Sequence, residues 1–230
     1  IVCSTLGPLA ESTRRKIREK RLAFTAVDSE CRGLDTIMLD RKIGMVQASR
    51  MLLLLGCKRV VALNGAPFGA PDDKLRGILA GFASLGARLT GEDVIAIQTP
   101  GSPGYQEGYA AVAALLRTRY VDGLLCCSDA IAIGAMRALR EANVRVPDDV
   151  KVVGFNDVPV AEYQPVSLST VRHPVAEVAV AAIEKTRTRL QDYEAPETET
   201  TFATTLILRE SAPVADHALR RKIFDSGGAP

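Results

Sequence analysis

The sequence predicts an α/β protein with a doubly wound parallel sheet, and two observations carry that prediction. Short apolar runs that resemble strands alternate along the whole chain with segments that resemble helices, which is the pattern of α/β folds. In addition, runs such as residues 60–63 and 152–155 are continuously apolar and do not alternate with polar residues. Strands that helices cover on both faces have this composition, so we expect parallel sheets flanked by helices.

The individual elements follow from apolar runs, from helical periodicity and from residues that start or stop helices. Strands are expected at residues 1–4, 21–27, 36–40, 59–63, 94–98, 124–127, 150–155, 168–171 and 202–208. Helices are expected at residues 9–20, 44–55, 74–85, 105–119, 129–143 and 175–190. Asp72 and Asp73 stand where a cap would precede the third helix, and Gly56 and Gly86 stand where the second and third helices would end. After Arg209 the pattern fades, so residues 212–230 are predicted to be a tail of low order.

Composition excludes several classes of protein. The 230 residues are 47% hydrophobic and 24% charged, the balance of a globular protein with a core. A net charge of +2 is too small to indicate nucleic acid or an acidic membrane as a partner. The sequence contains neither an apolar stretch long enough to span a membrane nor a signal peptide. Because residue 1 is Ile and opens directly into an apolar run, we expect the chain to begin inside a longer protein.

The five cysteines are scattered and odd in number, and no CxxC spacing occurs. This usage argues against a disulfide framework and favours a reducing compartment. We therefore expect a cytoplasmic protein.

Small polar residues follow several of the predicted strands, namely Asp28, Asn64-Gly65, Ser128-Asp129 and Asn156-Asp157. In open parallel sheets, ligands bind beyond the carboxyl ends of the strands. The alternative for each single position is helix capping or turn formation, which Ser, Asp and Asn perform in all proteins. Four such positions on one edge favour a binding cleft.

Four segments resemble motifs of one known family. Residues 124–135 (LLCCSDAIAIGA) are similar to an apolar run followed by N-D-x-x-A-x-G-A, and residues 144–150 (VRVPDDV) are similar to R-V-P-x-D-V. Residues 152–157 (VVGFND) are similar to V-V-G-[FY]-D-[DN], and residues 168–174 (LSTVRHP) are similar to L-T-T-V-R-Q-P. Their order and spacing resemble those of the LacI/GalR (lactose-repressor) family of transcriptional regulators. Weaker similarities occur at residues 40–64 and 74–77.

The resemblance implies a two-lobed fold like that of periplasmic binding proteins, with the first lobe incomplete. Residues 1–39 and 173–199 would be the remnant of the N-terminal lobe, and residues 40–172 and 200–211 would form the C-terminal lobe. A small polar effector, a sugar or a sugar derivative, would bind between the lobes. Such domains form homodimers, and they control operator DNA through a helix-turn-helix headpiece that precedes them and is not in this segment.

The resemblance implies effector contacts at the positions of this sequence that match the family's contact residues, which are Asp28, Lys74, Pro103, Ser128 and Asn156. Lys74 stands where the family usually has Arg, so a point charge replaces a planar fork. Asn156 replaces the usual Asp, which exchanges a carboxylate for an amide that also donates, and Ser128 replaces Asn. Pro103 stands at a position that is usually aromatic, which removes a stacking wall. These departures predict an unusual and less negative site, suited to an anionic metabolite such as a sugar acid or a sugar phosphate. The alternative for Lys74 is a solvated helix residue.

Dimerisation would use residues 131–139 and 158–163, which match the family's interface in the second lobe. The candidate interface residues are Ile131, Ile133, Met136, Val158, Val160 and Tyr163. The alternative is that half of them belong to the core. Arg172 and His173 lie at a crossover between the lobes, where one interpretation is that they sense ligand closure. We favour the alternative that Pro174 starts a helix and that Arg172 pairs with a surface carboxylate.

An enzyme is disfavoured, because the chain contains only two histidines and no phosphate-binding loop, dinucleotide fingerprint or HExxH motif. Metal-ligand spacings are absent, so we expect neither a metal nor a cofactor. The stronger alternative is a solute-binding protein of a sugar ABC transporter, which would share the fold. The cysteine content and the LacI-like motifs favour the regulator.

Overall fold

The computed structural model describes residues 2–4, 9–29 and 31–225. The helices are α1 Glu11–Glu19, α2 Arg41–Leu54, α3 Asp73–Ala83, α4 Tyr105–Leu115, α5 Asp129–Glu141, α6 Val175–Gln191 and α7 His217–Phe224. The strands are β1 Val2–Ser4, β2 Thr25–Val27, β3 Asp35–Asp40, β4 Val60–Asn64, β5 Val94–Ala96, β6 Gly123–Cys126, β7 Lys151–Asn156, β8 Ser169–Arg172, β9 Glu199–Ala203 and β10 Thr205–Ile207. The prediction of an α/β protein with mostly parallel sheets flanked by helices is confirmed.

The chain divides into two compact units. Unit 1 comprises Ile1–Asp40 and His173–Thr204, and unit 2 comprises Arg41–Arg172 and Thr205–Pro230. The predicted division placed residues 200–211 in the second lobe, whereas residues 200–204 belong to unit 1. The reason is β9, which pairs with β3 from Thr36↔Glu199 to Asp40↔Ala203.

Unit 1 has a parallel four-stranded sheet with the order β1-β2-β3-β9. Val178 and Ala182 on the inner face of α6 pack with the fully buried Ile37 of β3. A second small cluster joins Ile17 of α1 to Phe24 and neighbouring residues. Helix α6 therefore packs on this sheet, whose last strand, β9, alternates between exposed and partly exposed residues.

Unit 2 has a six-stranded sheet with the order β10-β8-β7-β6-β4-β5, parallel except for β10. Every residue of β4 and β6 is buried, because the two strands lie in the middle of the sheet between two apolar cores. One core contains residues of α2, α3 and α7, and the other contains residues of α4 and α5. After β4 the chain places β5 on one side and β6 on the other, which is a topological switch point.

The structure corrects the predicted last strand, residues 202–208. This run is two strands in different units, because β9 joins the sheet of unit 1 and β10 pairs antiparallel with β8 in unit 2. Thr204 stands between them, and its backbone N–H donates to the Asp40 carbonyl at 3.1 Å.

The prediction of a low-order tail after residue 211 is wrong for residues 212–225. Ala212, Val214 and Ile223 are buried in the core that contains α2, and α7 begins at the Asp216 cap, whose carboxylate accepts from the Ala218 N–H. The side chain of Arg50 donates to the carbonyls of Lys222 and Asp225. The final residues of the tail, 226–230, lie outside the described residues.

No helix in the described part of the chain combines the length and the apolar composition that crossing a bilayer requires.

Candidate functional site

The carboxyl edge of the sheet in unit 2 collects small polar side chains from three adjacent strands. Asn64 ends β4, Ser128 follows β6 after one residue, and Asn156 ends β7. The three strands are parallel neighbours, so their carboxyl ends lie at the same edge. Two of the predicted contacts, Ser128 and Asn156, are thereby brought to one edge. We call these side chains, together with Lys74, the carboxyl-edge site.

Helix α3 carries Lys74 to this edge. The Asp72 carboxylate caps the helix by accepting from the Leu75 N–H at 2.8 Å, which satisfies one of the free amides of the first turn. Lys74 Nζ donates to the Cys127 carbonyl at 3.2 Å and lies 5.0 Å from the centre of the Phe155 ring. Cys127 and Phe155 directly precede Ser128 and Asn156, so the ammonium group lies beside both predicted contacts.

Asn64 is a buried residue of the site that is not among the effector contacts implied by the resemblance to the family. Its side-chain amide donates to the Ala66 carbonyl at 3.0 Å and to Asp72 Oδ1 at 3.4 Å. Asn64 Oδ1 has no hydrogen-bond partner within the described residues although Asn64 is only 1% exposed. A buried acceptor without a partner costs free energy, and a donor on a ligand would recover it. The sequence signal was the polar residue at the end of a buried strand.

Ser128 has a structural role in the site. Its Oγ accepts from the Ile131 N–H at 3.2 Å and caps α5. A hydroxyl group has a second lone pair and a hydrogen to donate. Capping therefore fixes the position of Ser128 and leaves its O–H available to a ligand.

The turn after β7 presents Asn156. Asn156 has φ of 114° and Asp157 has φ of 57°, a left-handed backbone that Asn and Asp tolerate better than most residues. The Asp157 carboxylate forms ion pairs with Arg172 at 2.5 Å and with Arg209 at 2.8 Å. These ion pairs hold the turn while the Asn156 side chain stays exposed. Arg172 thus forms an ion pair as expected, but with a carboxylate that is only 7% exposed and not with one on the surface.

Asp129 supports the same edge from inside the protein. Its fully buried carboxylate accepts from Thr170 Oγ1 at 2.5 Å and from the Val158 N–H at 2.8 Å, so it links α5, β8 and the turn after β7. Burial raises the pKa of the carboxyl group, and the Thr170 hydrogen bond opposes that shift. Gly154 is required beside it, because a Cβ there would lie 2.2 Å from Asp129 Oδ1.

Two vicinal cysteines precede Ser128. Cys126 is fully buried and Cys127 is 8% exposed. Burial raises the pKa of the Cys127 thiol, while the charge of Lys74 acts in the opposite direction. A thiol of this kind stays protonated at neutral pH and behaves as a small apolar group.

Pro103 is exposed on the loop between β5 and α4. The next residue, Gly104, packs closely on α5, because a Cβ there would lie 2.9 Å from Ile131 Cγ1. The loop is thereby held next to the first turn of α5, which Ser128 caps.

Asp28 lies in unit 1, directly after β2, with φ of 60°. Its backbone N–H donates to the Ile37 carbonyl at 2.7 Å, which fixes the residue at the carboxyl end of that sheet. Its role as an effector contact remains a prediction.

The predicted interface residues fall into two groups. Ile131 is 2% exposed and packs inside unit 2 beside Gly104, so this side chain belongs to the core and not to a surface, which is the alternative stated for half of these residues. Val158 packs against the same core. Val160 and Tyr163 are 43% and 81% exposed, and Ile133 and Met136 line a surface groove of about 510 Å³.

Residues 50–212 match the family described as the periplasmic binding protein-like domain. Among curated proteins, the chain is 31% identical over 177 residues to the transcriptional regulator GalR of Escherichia coli, a match that covers 76% of this chain and 50% of GalR. It is 31% identical over 204 residues to the regulator MalR of Streptomyces coelicolor, covering 87% of this chain and 59% of MalR. The chain thus spans about half the length of the curated relatives it matches.

Solved structures show the same similarity. A sugar-binding LacI-family regulator from Escherichia coli in complex with phosphate is 26% identical, with a TM-score of 0.74, and the match covers 92% of this chain and 77% of that chain. The Escherichia coli transcriptional repressor AscG is 25% identical, with a TM-score of 0.78, covering 93% of this chain and 78% of that chain.

Proposed function

Because the chain belongs to the periplasmic binding protein-like domain family of LacI/GalR transcriptional regulators, we propose that it senses a small polar metabolite for such a regulator. The observation that carries the proposal is the convergence of Lys74, Ser128, Asn156 and the unpartnered Asn64 oxygen at one edge of the sheet. This edge includes the switch point between β4 and β6, where ligands of open α/β sheets bind.

The side chains of the site favour a ligand that carries an anionic group as well as hydroxyls. Lys74 supplies a positive charge, and the Asn156 amide both donates and accepts. Of the carboxylates near this edge, Asp157 forms ion pairs with Arg172 and Arg209, and Asp72 accepts from the Leu75 N–H and the Asn64 amide. Within the sugar derivatives expected from the family, a sugar acid or a sugar phosphate therefore fits this charge pattern best. The phosphate complex of the Escherichia coli relative is compatible with that choice.

The aromatic wall expected for a neutral sugar is absent at Pro103, which is a proline on an exposed loop. Stacking on a ring face is one of the main sources of affinity for apolar sugar faces. With a proline in place of the aromatic residue, the affinity for the effector depends less on stacking and more on attraction to the charge of Lys74. Asp28 is proposed as a further contact for hydroxyl groups of the effector.

The regulatory output would come from a headpiece that binds operator DNA and is not in this segment. An effector with different affinities for two arrangements of the domain shifts their populations, and that shift would change DNA binding. We propose that the regulator acts as a homodimer in the cytoplasm. The curated relatives GalR and MalR are transcription regulators, which favours this role over that of a transporter's solute-binding protein.

A calorimetric panel of neutral sugars, sugar acids and sugar phosphates tests the proposal on the 230-residue chain. We expect an anionic member of the panel to bind, and we expect Lys74→Gln to weaken its binding about tenfold, the effect of losing one charge-assisted hydrogen bond. Asn156→Asp should also weaken binding, because it adds a negative charge beside the anion. The matched control is Arg76→Gln, which removes a cation from the exposed side of the same helix, where Arg76 pairs with Asp73.

Two outcomes contradict the proposal. Binding of neutral sugars alone would exclude an anionic effector. Equal affinities for wild type, Lys74→Gln and Asn156→Asp would show that the effector does not bind at the carboxyl-edge site.

A further inference from the structure

Cationic side chains gather at the opposite edge of the sheet in unit 2. Lys58 and Arg59 directly precede β4, Arg88 precedes β5, and Arg119 precedes β6. The strands β5, β4 and β6 are parallel neighbours, so three separate chain segments bring these cations to adjacent amino ends. They line a cavity of about 260 Å³ together with Tyr120, which we call the amino-edge cavity.

The negative charges near the amino-edge cavity are already engaged. Asp93 pairs with Arg119 at 3.3 Å. Asp122 accepts from the backbone N–H groups of Lys58 and Arg59 at 2.9 Å and 2.8 Å. The charged ends of Lys58 and Arg88 make no hydrogen bond or ion pair with any described residue. The cavity therefore has an excess of uncompensated positive charge.

The cavity also has an apolar floor and an exposed aromatic wall. Val60, Leu89 and Val121 are at most 7% exposed and form part of the floor. The Tyr120 ring is 58% exposed, and the Arg59 guanidinium carbon lies 5.7 Å from its centre. A concave site with convergent polar groups and an aromatic side chain is the usual form of a small-molecule site.

The dipoles of three helices offer a structural explanation for the cations that does not involve a ligand. α2, α3 and α4 end at Leu54, Ala83 and Leu115, shortly before these cations, and positive charges near helix C-termini stabilise helices. The helix dipoles account for the charge, but they do not account for the exposed Tyr120 ring or for the concave shape. The dipole explanation also predicts that no anion binds saturably.

We propose that the amino-edge cavity binds a small molecule that carries a phosphate group attached to an aromatic or apolar group. The phosphate would accept from Lys58 and Arg88, and the attached group would contact Tyr120 and the apolar floor. This second site is distinct from the proposed effector site, because it lies at the amino ends of the strands that carry the effector residues at their carboxyl ends.

Calorimetry of the 230-residue chain with phenyl phosphate at constant ionic strength tests the proposal. We expect saturable binding that is tighter than for inorganic phosphate and absent for phenol. Arg88→Gln and Lys58→Gln should each weaken binding about tenfold. Tyr120→Ser should remove the preference for phenyl phosphate over inorganic phosphate, since that preference depends on the ring.

Two control variants keep the test independent of the proposed effector site. Arg221→Gln removes an exposed cation of α7 that lies outside the cavity, and Lys74→Gln removes the cation of the carboxyl-edge site. Neither should change the affinity for phenyl phosphate. Loss of binding in Lys74→Gln with full binding in Arg88→Gln would place the probe at the effector site and overturn the proposal. Absence of saturable binding, or equal affinity in all variants, would overturn it as well.

Discussion

At the scale of the residue, Asp149 stabilises the connector between α5 and β7 through hydrogen bonds with Arg145. Its carboxylate accepts from the Arg145 backbone N–H at 2.8 Å and from Arg145 Nε and Nη2 at 2.9 Å and 2.6 Å. These hydrogen bonds lower the pKa of the Asp149 carboxyl group from 3.8 to about 2. The interaction therefore favours the folded state as long as Asp149 is ionised.

This shift predicts how the effect of Asp149→Asn depends on pH. In the unfolded chain the pKa of Asp149 returns toward 3.8, and in the folded chain it is about 2. The stabilising contribution is present above the unfolded value and is lost as the pH falls through the folded value. Urea unfolding should show Asp149→Asn to be less stable than wild type at neutral pH, with a difference that shrinks between about pH 4 and pH 2.

Asp148→Asn is the matched control for this experiment. Asp148 is the adjacent acid, 64% exposed, and it approaches the same guanidinium only at 3.5 Å. We expect it to change stability less than Asp149→Asn does. Parallel pH profiles for wild type and Asp149→Asn would refute the role assigned to the Arg145 contact.

The residues of the carboxyl-edge site were only partly predictable. The ends of apolar strands identified Ser128, Asn156 and the position of Asn64, because a polar residue after a buried strand must lie at the sheet edge. The ammonium contact of Lys74 with the Cys127 carbonyl joins residues 53 positions apart. No local pattern specifies such a contact. The resemblance to the family supplied Lys74 as a candidate site residue, and the structure supplied its contact with the Cys127 carbonyl.

At the scale of the element, the crossing of α4 and α5 depends on two glycines. A Cβ on Gly134 would lie 1.9 Å from the Tyr105 carbonyl oxygen, and a Cβ on Gly108 would lie 2.2 Å from the Ile131 carbonyl oxygen. The two helices therefore pack backbone against backbone. This contact sets the position of α5, whose first residue follows the Ser128 cap.

Gly134→Ala tests the importance of that contact. The new methyl group must push the helices apart, and overpacking of this kind costs about 1–3 kcal/mol, more than the helix propensity that alanine gains. Thermal and urea unfolding should both show the loss. Gly65→Ala is the control, since nothing lies within 4 Å of a Cβ at that position, and equal stability of the two variants would disprove the prediction.

Local sequence patterns could not identify two features, namely the division of the last predicted strand and the helix α7. Residues 199–207 form an almost continuous run of strand-forming residues, and only the pairing of β9 with β3 and of β10 with β8 divides it. Helix α7 is only eight residues long and most of its residues are exposed, so it offers few positions from which a helical period can be recognised. It is ordered because Leu219 and Ile223 pack against the core of unit 2.

At the scale of the whole molecule, the surface formed by α5 and residues 158–163 is the proposed contact with a second copy. Its exposed apolar groups are Val160 and Tyr163, next to the groove that Ile133 and Met136 line. Exposed apolar groups gathered in one area are typical of interaction sites. We propose a second copy of the chain as the occupant, because the homodimer is what the resemblance to the LacI family implies.

The double variant Val160→Asp with Tyr163→Asp should weaken dimerisation at least about thirtyfold, as expected for the loss of an interface hot spot. Sedimentation equilibrium measures the dimer constant directly. The control is Leu190→Asp on α6, which places the same charge on a residue that is 73% exposed in unit 1. A wild-type chain that stays monomeric, or a dimer that the double variant leaves intact, would exclude this interface.

The sequence by itself determined the α/β class, the order of most elements and the family. Apolar periodicity and capping residues act over a few positions, so they can be read from neighbours along the chain. Only the tertiary structure decided that residues 199–207 supply a strand to each unit, that α7 belongs to the core, and that cations from three segments meet at the amino edge. Each of these features depends on contacts between residues distant in sequence, and the free energy of such contacts exists only once the chain has packed.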